Sequence, residues 1–198
     1  AASMGQLRGL LRSVAWDREE SPSAILARVE NGMSGLKIDT LATVILGRIE
    51  ANQNAGVRRI RWSNAGHPPP LVVTKDGRVE VLETRNDLPL GSGFVMPRTD
   101  HVRNLTPGSV LILYTDGLVE RRDRPLDVGI ERLAGSLRRH HLLPLEDLLD
   151  RIVIEVAGST PEDDIAVLGV SIEPDDLVAQ MESRVISGER VATNRETP

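Results

Sequence analysis

The sequence of 198 residues contains no cysteine. Without thiols the chain can form no disulfide bond and no zinc–thiolate site, and it has no cysteine nucleophile. Thiol redox chemistry and cysteine-based catalysis are therefore excluded. A chain without disulfides is also typical of a cytoplasmic protein, which is the location that we expect.

Aromatic residues and long apolar runs are also scarce. Phe, Trp and Tyr make up 2% of the chain, so Leu, Val and Ile must build the core. The longest apolar runs, such as residues 110–114, are far shorter than a membrane span requires, and no signal peptide is visible. The net charge of −5 disfavours a phosphate-binding surface. We therefore expect neither a membrane nor a nucleic acid as a partner.

The patterns that are present indicate an α+β fold. Apolar residues at helical spacing predict helices over residues 1–17, from Ser21-Pro22 to about Gly35, and over residues 128–139 and 145–156. Alternating or β-branched runs predict strands near residues 40–49, 57–63, 71–74, 79–82, 98–103, 109–114 and 165–172. Because short turns such as Asp76-Gly77 join most of these strands, we expect antiparallel sheets rather than a Rossmann-type parallel sheet.

The chain divides into a domain and a tail. The last predicted strand is followed by polar sequence. We expect residues 1–173 to form one domain, and residues 174–198 to form a short helix followed by a polar tail or linker.

Two acidic motifs stand at the ends of predicted core strands. Asp116 follows the strand 109–114, and we expect Gly117 to permit a sharp turn that leaves this carboxylate exposed. Asp163 and Asp164 follow Glu162 and directly precede the last strand. Carboxylates at two strand ends could converge on one Mg²⁺ or Mn²⁺ ion, since these cations prefer oxygen ligands. On spacing alone, however, an ordinary Asp-Gly turn and a solvated strand edge are the favoured interpretation.

The segment Asn64-Ala65-Gly66-His67-Pro68 has two interpretations. His67 could face a cleft as a proton donor or phosphate contact, since imidazole exchanges protons near neutral pH. Alternatively, the segment is a stiff connection between strands, in which Gly66 supplies an unusual φ and the prolines block further pairing. Base rates for loops of Gly and Pro favour the second interpretation. The remaining histidines show no metal-ligand spacing and are interpreted as surface residues: His101, His140 and His141.

Six segments in order carry a resemblance to a known family. They are Ala1-Ala2-Ser3-Met4, Ala42-Thr43, Trp62-Ser63-Asn64-Ala65-Gly66-His67-Pro68-Pro69, Leu88-Pro89-Leu90-Gly91, Leu113-Tyr114-Thr115-Asp116-Gly117-Leu118-Val119-Glu120 and Asp163-Asp164-Ile165-Ala166. Together they resemble the SpoIIE/RsbU-type phosphatases, a bacterial branch of the PP2C-like family, from residue 1 to about residue 173. Any one segment is weak, but the ordered set is specific, and it shifts the interpretation of the acidic motifs towards metal binding.

The resemblance implies a four-layer α-β-β-α sandwich of two antiparallel sheets flanked by helices. It also implies two Mn²⁺ or Mg²⁺ ions that activate water for the hydrolysis of phosphoserine or phosphothreonine. At the matching positions Asp116 and Asp163 would be metal ligands, Asp163 in preference to Asp164. The other matching motif residues are Gly117, Asn64, Gly66 and His67. The implied substrate is a phosphorylated STAS-type anti-sigma-factor antagonist in sigma-factor or stress signalling.

One motif of the family does not match. Its Gly-Asp segment, whose aspartate bridges the two metals, lies upstream of the helix with which this sequence begins. We therefore expect the sequence to be a piece of a longer domain or a truncated product, with weak or no activity by itself. The alternative function is a catalytically incompetent binding or scaffold module. Exposure of the apolar stripe of the first helix would favour a homodimer formed through residues 1–35.

Overall fold

The fold consists of two helices, six strands, two further helices and a last strand, in that order along the described residues. The structure is a computed structural model, and it describes residues 2–16, 20–52, 56–83, 87–94, 96–121, 125–158 and 163–174. The helices are α1 (Ala2–Trp16), α2 (Pro22–Leu36), α3 (Leu126–His140) and α4 (Leu145–Ile152). The strands are β1 (Val44–Ala51), β2 (Arg58–Ala65), β3 (Leu71–Val73), β4 (Val79–Val81), β5 (His101–Leu105), β6 (Val110–Tyr114) and β7 (Val167–Ser171). Glu162, and the helix and tail predicted beyond residue 174, lie outside the described residues.

The strands form two antiparallel sheets. The first sheet has the order β1-β2-β5, and the second sheet has the order β4-β3-β6-β7. All the strand pairings within them are antiparallel. The Lys75-Asp76-Gly77 turn joins β3 to β4 as predicted, and Gly77 has a φ of 82°, which glycine adopts without steric cost. The predicted α+β class and antiparallel sheets are confirmed.

Three groups of buried apolar side chains hold the layers together. The group between the two sheets contains Ile60, Trp62, Val72, Leu82, Leu105, Leu111 and Ile172. The group that packs α1 and α2 on the first sheet contains Leu7, Ile25, Leu26, Val29, Met33 and Ala65, among others. The group that packs α3 and α4 on the second sheet includes Leu71, Ile112, Leu118, Leu133, Leu137, Leu148 and Ile152. The layers therefore follow the order α-β-β-α that the resemblance implied.

Helix α2 begins and ends where its local sequence directs. The Oγ atom of Ser21 accepts a hydrogen bond from the backbone N–H of Ala24 at 3.4 Å, and Pro22 occupies the first turn. At the other end Lys37 has a φ of 53°, and its N–H donates to the carbonyls of Met33 and Ser34. This left-handed cap closes the helix next to the predicted end.

Strand β1 begins at Val44 rather than near residue 40. The preceding segment makes only an isolated bridge, between Ala42 and Leu90. The backbone at Gly91 lies close to Thr40: a Cβ added to Gly91 would be only 2.0 Å from the carbonyl oxygen of Thr40. The segment before β1 therefore contacts the residues around Leu90 instead of extending the first sheet.

The apolar stripe of α1 is largely covered by α2. Leu7 is buried, and Leu10, Leu11 and Val14 are partly buried against the same apolar group. Only the ends of the helix expose large apolar side chains: Met4 is 52% exposed and Trp16 is 94% exposed. No helix in the part of the chain that the structure describes is long and apolar enough to cross a membrane.

The three histidines that were interpreted as surface residues are all partly buried and partly exposed. His101 stacks on Trp62 with ring centroids 5.5 Å apart. His140 contacts Glu155 on the π-helical turn Val153–Ala157, with Nε2 and Oε1 2.8 Å apart. Both rings therefore have a partner from another element, which local sequence does not reveal. The ring of His141 lies against Gly77.

Candidate metal centre

Strand β6 brings Asp116 to one end of the second sheet. The strand ends at Tyr114, whose buried phenol has a raised pKa because burial disfavours the phenolate. A 3₁₀ turn over Asp116–Leu118 follows, and in it Asp116 Oδ1 accepts a hydrogen bond from the N–H of Gly117 at 2.9 Å. The Asp116 side chain is half-buried. It is therefore held by the turn while still reaching the surface.

Asp163 and Asp164 lie at the same end of the second sheet. Val167, the first residue of β7, pairs with Tyr114, so the two acidic motifs extend side by side from neighbouring strands. Asp163 Oδ1 accepts a hydrogen bond from the N–H of Asp164 at 2.7 Å, and both side chains are exposed. The backbones of the two motifs are in contact: a Cβ on Gly117 would lie 2.5 Å from the carbonyl oxygen of Asp164.

Gly117 is constrained in a way that was not predicted. We expected this glycine to permit a sharp turn, and it lies in the 3₁₀ turn Asp116–Leu118 without adopting a positive φ. The constraint is the absent side chain, because the carbonyl carbon of Asp163 would also be only 3.3 Å from a Cβ here. Glycine therefore lets the two acidic motifs approach each other.

Thr115 connects the two motifs through its backbone N–H and its hydroxyl group. Its N–H donates to the carbonyl of Ala166 at 2.9 Å, and its Oγ1 accepts from the N–H of Ala166 at 2.9 Å. The hydroxyl also donates to the carbonyl of Asp164 at 3.3 Å. Sequence reasoning noted the Thr-Asp-Gly motif but assigned no role to Thr115. A hydroxyl residue directly before a candidate ligand was the available signal.

The chemistry of these carboxylates suits a hard divalent cation. Asp116 and Asp163 each accept one hydrogen bond from the next residue's N–H, and no Lys or Arg pairs with either carboxylate among the described residues. Over the same ranges, no three or more side chains of His, Cys, Asp or Glu form a group that could hold a metal ion. A cation that keeps most of its water ligands, as Mg²⁺ does, can be held by one or two carboxylates. Coordination by Asp116 and Asp163 stays a prediction.

The loop that contains His67 is stiffened by Asn64. The buried Asn64 amide donates from Nδ2 to the carbonyl of His67 and accepts at Oδ1 from the N–H of His67, both at 2.8 Å. His67 Nδ1 lies 3.0 Å from the carbonyl oxygen of Pro68. The φ of Gly66 is 74°, as predicted for this glycine. These contacts make the loop a stiff connection between β2 and β3, which agrees with the second of the two interpretations of this segment.

The same loop packs against a second motif far along the chain. A Cβ on Gly66 would lie 2.7 Å from Cγ of Pro89, so the two segments touch. The loop enters β3 at Leu71, which pairs with Ile112 in the middle of β6, and because the two strands are antiparallel the residues before Leu71 run towards the Tyr114 end. The loop therefore lies towards the end of the second sheet that carries Asp116.

Comparison with known proteins places this fold and these motifs in a family. The family model of stage II sporulation protein E (SpoIIE) matches residues 1–173. The chain belongs to the SpoIIE family. This SpoIIE-family chain shares 26% sequence identity with the RsbU and RsbW domains of a protein from Mycobacterium tuberculosis, and its fold matches their crystal structure with a TM-score of 0.67. That match covers 94% of this chain and 56% of that chain, so the SpoIIE-family sequence spans little more than half of its relative's length.

Two other solved structures share the fold of this SpoIIE-family chain. The PP2C phosphatase domain with a regulatory fragment of SpoIIE from Bacillus subtilis is 16% identical, with a TM-score of 0.58, and the match covers 86% of this chain and 48% of that one. RsbX in complex with magnesium is also 16% identical, with a TM-score of 0.57, and the match covers 85% of this chain and 72% of that one. At this identity the two matches show a PP2C-like fold.

Proposed function

We propose that this domain serves the metal-dependent hydrolysis of phosphoserine or phosphothreonine on a regulatory protein. The observation that carries the proposal is the contact between the Asp116 turn and the Asp163-Asp164 segment at one end of the second sheet. Membership in a family of PP2C-like phosphatases supports it. The site offers oxygen ligands without a competing side-chain cation among the described residues.

The chain's own residues would hold and orient the metal. Asp116 and Asp163 would supply carboxylate oxygens, and Asp164 is the less favoured ligand. The chemistry that Mg²⁺ or Mn²⁺ would supply when bound is polarisation of the phosphoryl oxygens and a lowered pKa for a water nucleophile. Gly117 allows the two ligand segments to meet. The relative RsbX binds magnesium, which supports this choice of cation.

The proposed substrate is a phosphorylated STAS-type anti-sigma-factor antagonist, acting in the cytoplasm. The family supports this class of partner, since the most extensively matched relative described above carries an RsbU domain and an RsbW domain in one chain. The net charge of −5 suits a protein partner better than a nucleic acid.

A catalytically incompetent binding module is the second candidate function. It is favoured by one observation: the described residues include no group of three or more His, Cys, Asp or Glu side chains that could hold a metal. Such a module would retain a phosphorylated partner without releasing phosphate.

Phosphate release from a phosphoserine-containing STAS-type protein tests these two functions. We expect turnover with Mn²⁺ or Mg²⁺ but not with chelator, and loss of most turnover in Asp116→Asn, which keeps the shape and removes the charge. Asp76→Asn is the matched control, because Asp76 lies in the β3–β4 turn, beyond the Val73–Val110 pair at the opposite end of the second sheet. The assay compares residues 1–198 with a version extended upstream.

The comparison of the two lengths has a definite expectation. The resemblance implies a bridging aspartate outside residues 1–198, and on that basis we expect residues 1–198 alone to turn over substrate far more slowly than the extended version. Comparable turnover by both, abolished in both by Asp116→Asn, would show that the upstream segment is dispensable. Retention of the phosphoprotein by both without any turnover would favour the binding module.

A homodimer through residues 1–35 is a further part of the proposal. The exposed apolar side chains at the two ends of α1, Met4 at 52% and Trp16 at 94%, support it. The mass in solution from light scattering, measured over a range of concentrations, should approach twice the chain mass. Met4→Lys together with Trp16→Lys should return a monomer. A monomer at every concentration of the unaltered chain would exclude this dimer.

A further inference from the structure

We infer that Thr115 is a positioning residue whose hydroxyl fixes the separation between the two ligand segments, an inference that rests on the proposed function. The hydroxyl contacts the segment just before β7: Oγ1 accepts from the N–H of Ala166 at 2.9 Å and donates to the carbonyl of Asp164 at 3.3 Å, with the Ala166 carbonyl farther away at 3.5 Å. Thr115 directly precedes Asp116, and Asp164 directly follows Asp163. One side chain thus holds the backbone next to each proposed ligand.

The location of these bonds gives the hydroxyl its effect. The regular pairing of β6 with β7 ends at the Tyr114–Val167 pair. Beyond it, the Thr115 N–H still donates to the Ala166 carbonyl at 2.9 Å, but the return bond from the Ala166 N–H goes to the side chain of Thr115. The threonine hydroxyl therefore replaces a backbone acceptor and sets where the two chains separate towards Asp116 and Asp163.

Stability and metal affinity should respond differently to the loss of this hydroxyl. Thr115 is half-buried and Asp164 and Ala166 are exposed, so water can replace the lost bonds at little cost in folding free energy. Ligand geometry is far more demanding, because residues that orient metal ligands typically change metal affinity by tenfold or more when they are removed. A purely structural threonine would show the opposite pattern.

The experiment is a Mn²⁺ titration of residues 1–198, followed by electron paramagnetic resonance, with urea denaturation of each metal-free variant. Thr115→Val keeps the β-branched shape without the hydroxyl, and Thr115→Ser keeps the hydroxyl. Thr74→Val is the matched control, since Thr74 Oγ1 also bonds within a turn, to Asp76 and to the carbonyl of Arg78, at the opposite end of the second sheet. We expect Thr115→Val to weaken Mn²⁺ binding by about tenfold, with an almost unchanged urea midpoint. Thr115→Ser and Thr74→Val should bind Mn²⁺ like the unaltered chain.

A metal-free measurement separates this inference from the proposed function. Amide NMR spectra should show that Thr115→Val shifts the signals of Asp164 and Gly117 and accelerates hydrogen exchange at Ala166, whereas Thr115→Ser does not. Mn²⁺ binding that is unaffected by Asp116→Asn would refute the metal assignment, and the amide data alone would then decide whether the hydroxyl holds the two segments. Unchanged amide signals at Asp164 in Thr115→Val, or unchanged Mn²⁺ affinity where Asp116→Asn lowers it, would overturn the role of Thr115.

Discussion

The backbone of Gly117 lies directly against the carbonyl group of Asp164, so that a Cβ on Gly117 would be 2.5 Å from the Asp164 oxygen. That separation is shorter than any that a real Cβ adopts, and the opposing atom is a backbone oxygen, which cannot rotate away. The Asp116 turn and the segment of Asp163 can therefore keep their contact only with glycine at this position.

Substitution of Gly117 by alanine should disturb both folding and metal binding. We expect Gly117→Ala to lower the free energy of unfolding by about 1–3 kcal/mol, since one added methyl group must displace backbone. Mn²⁺ affinity should fall as well, because the two ligand segments are forced apart. Gly9→Ala in α1 is the control: nothing lies within 4 Å of its Cβ position, so helix propensity should stabilise it by up to about 1 kcal/mol. Urea denaturation and Mn²⁺ titration measure both effects. If Gly117→Ala left both the free energy of unfolding and the Mn²⁺ affinity unchanged, the contact with Asp164 would not exist in solution.

Removal of one partner from the buried ion pair between Arg98 and Glu30 should be strongly destabilising. The two side chains are only 4% and 17% exposed, with Arg98 Nη2 2.7 Å from Glu30 Oε2. A second guanidinium nitrogen of Arg98 donates to the carbonyl of Leu88 at 3.2 Å, which links α2 to the Leu88–Gly91 segment. Glu30→Ala would leave the guanidinium buried without its counter-charge, and we expect it to cost about 3 kcal/mol in urea denaturation.

A double substitution provides the decisive comparison for this ion pair. Glu30→Leu with Arg98→Met leaves no unpaired charge, so the double variant should be more stable than the single variant Glu30→Ala. Glu80→Ala is the control, because the Arg103–Glu80 pair is 47% and 45% exposed and should contribute less than about 1 kcal/mol. A Glu30→Ala variant no less stable than Glu80→Ala would contradict the burial of the pair.

Glu155 should make stability depend on pH in the acidic range. Hydrogen bonds from Arg139 and Ser136, with a further contact to His140, lower the pKa of Glu155 from 4.5 to about 2. A carboxylate with a lower pKa in the folded state stabilises the fold above its unfolded pKa, and this stabilisation is lost as the pH falls from 4.5 towards 2. Because the Glu155 side chain is 28% exposed, solvent screening reduces the effect to about 1 kcal/mol.

The variant Glu155→Gln isolates this carboxylate from the others. It should be less stable than the unaltered chain at pH 6, and the difference should shrink steadily in urea denaturation at pH 4 and pH 3. Glu131→Gln is the control at pH 6. The Arg138–Glu131 pair is exposed, so the loss of its charge should change the free energy of unfolding by only about 0.3 kcal/mol. A difference between Glu155→Gln and the unaltered chain that is constant down to pH 3 would show that the charge of Glu155 is not involved.

Local features of the sequence predicted the elements well. The Asp76-Gly77 turn, the apolar run of β6 and the Ser21-Pro22 helix start each act over a few neighbouring residues, so their outcome can be derived from sequence. The α-β-β-α order of layers came from the family resemblance, because element order alone does not fix which helices cover which sheet.

Contacts between distant segments were beyond local reasoning. The φ of Gly66 was predicted from its loop, but its contact with Pro89 depends on where two loops meet in the fold. The close approach at Gly117 was not predicted for the same reason, since the restricting atom belongs to Asp164, in the segment before β7. His140 likewise acquires its partner, Glu155, only when the helices pack.

Coordination of one cation by Asp116 and Asp163 together is tested most directly by the stoichiometry and affinity of Mn²⁺ binding. Electron paramagnetic resonance titrations would compare residues 1–198 with Asp116→Asn, Asp163→Asn and the control Asp76→Asn. We predict that each of the first two variants removes the same bound ion or weakens it by about tenfold or more, because each deletes one negative oxygen ligand. Asp76→Asn should bind as the unaltered chain does. Mn²⁺ binding that survives unchanged in either Asp116→Asn or Asp163→Asn would contradict a shared site.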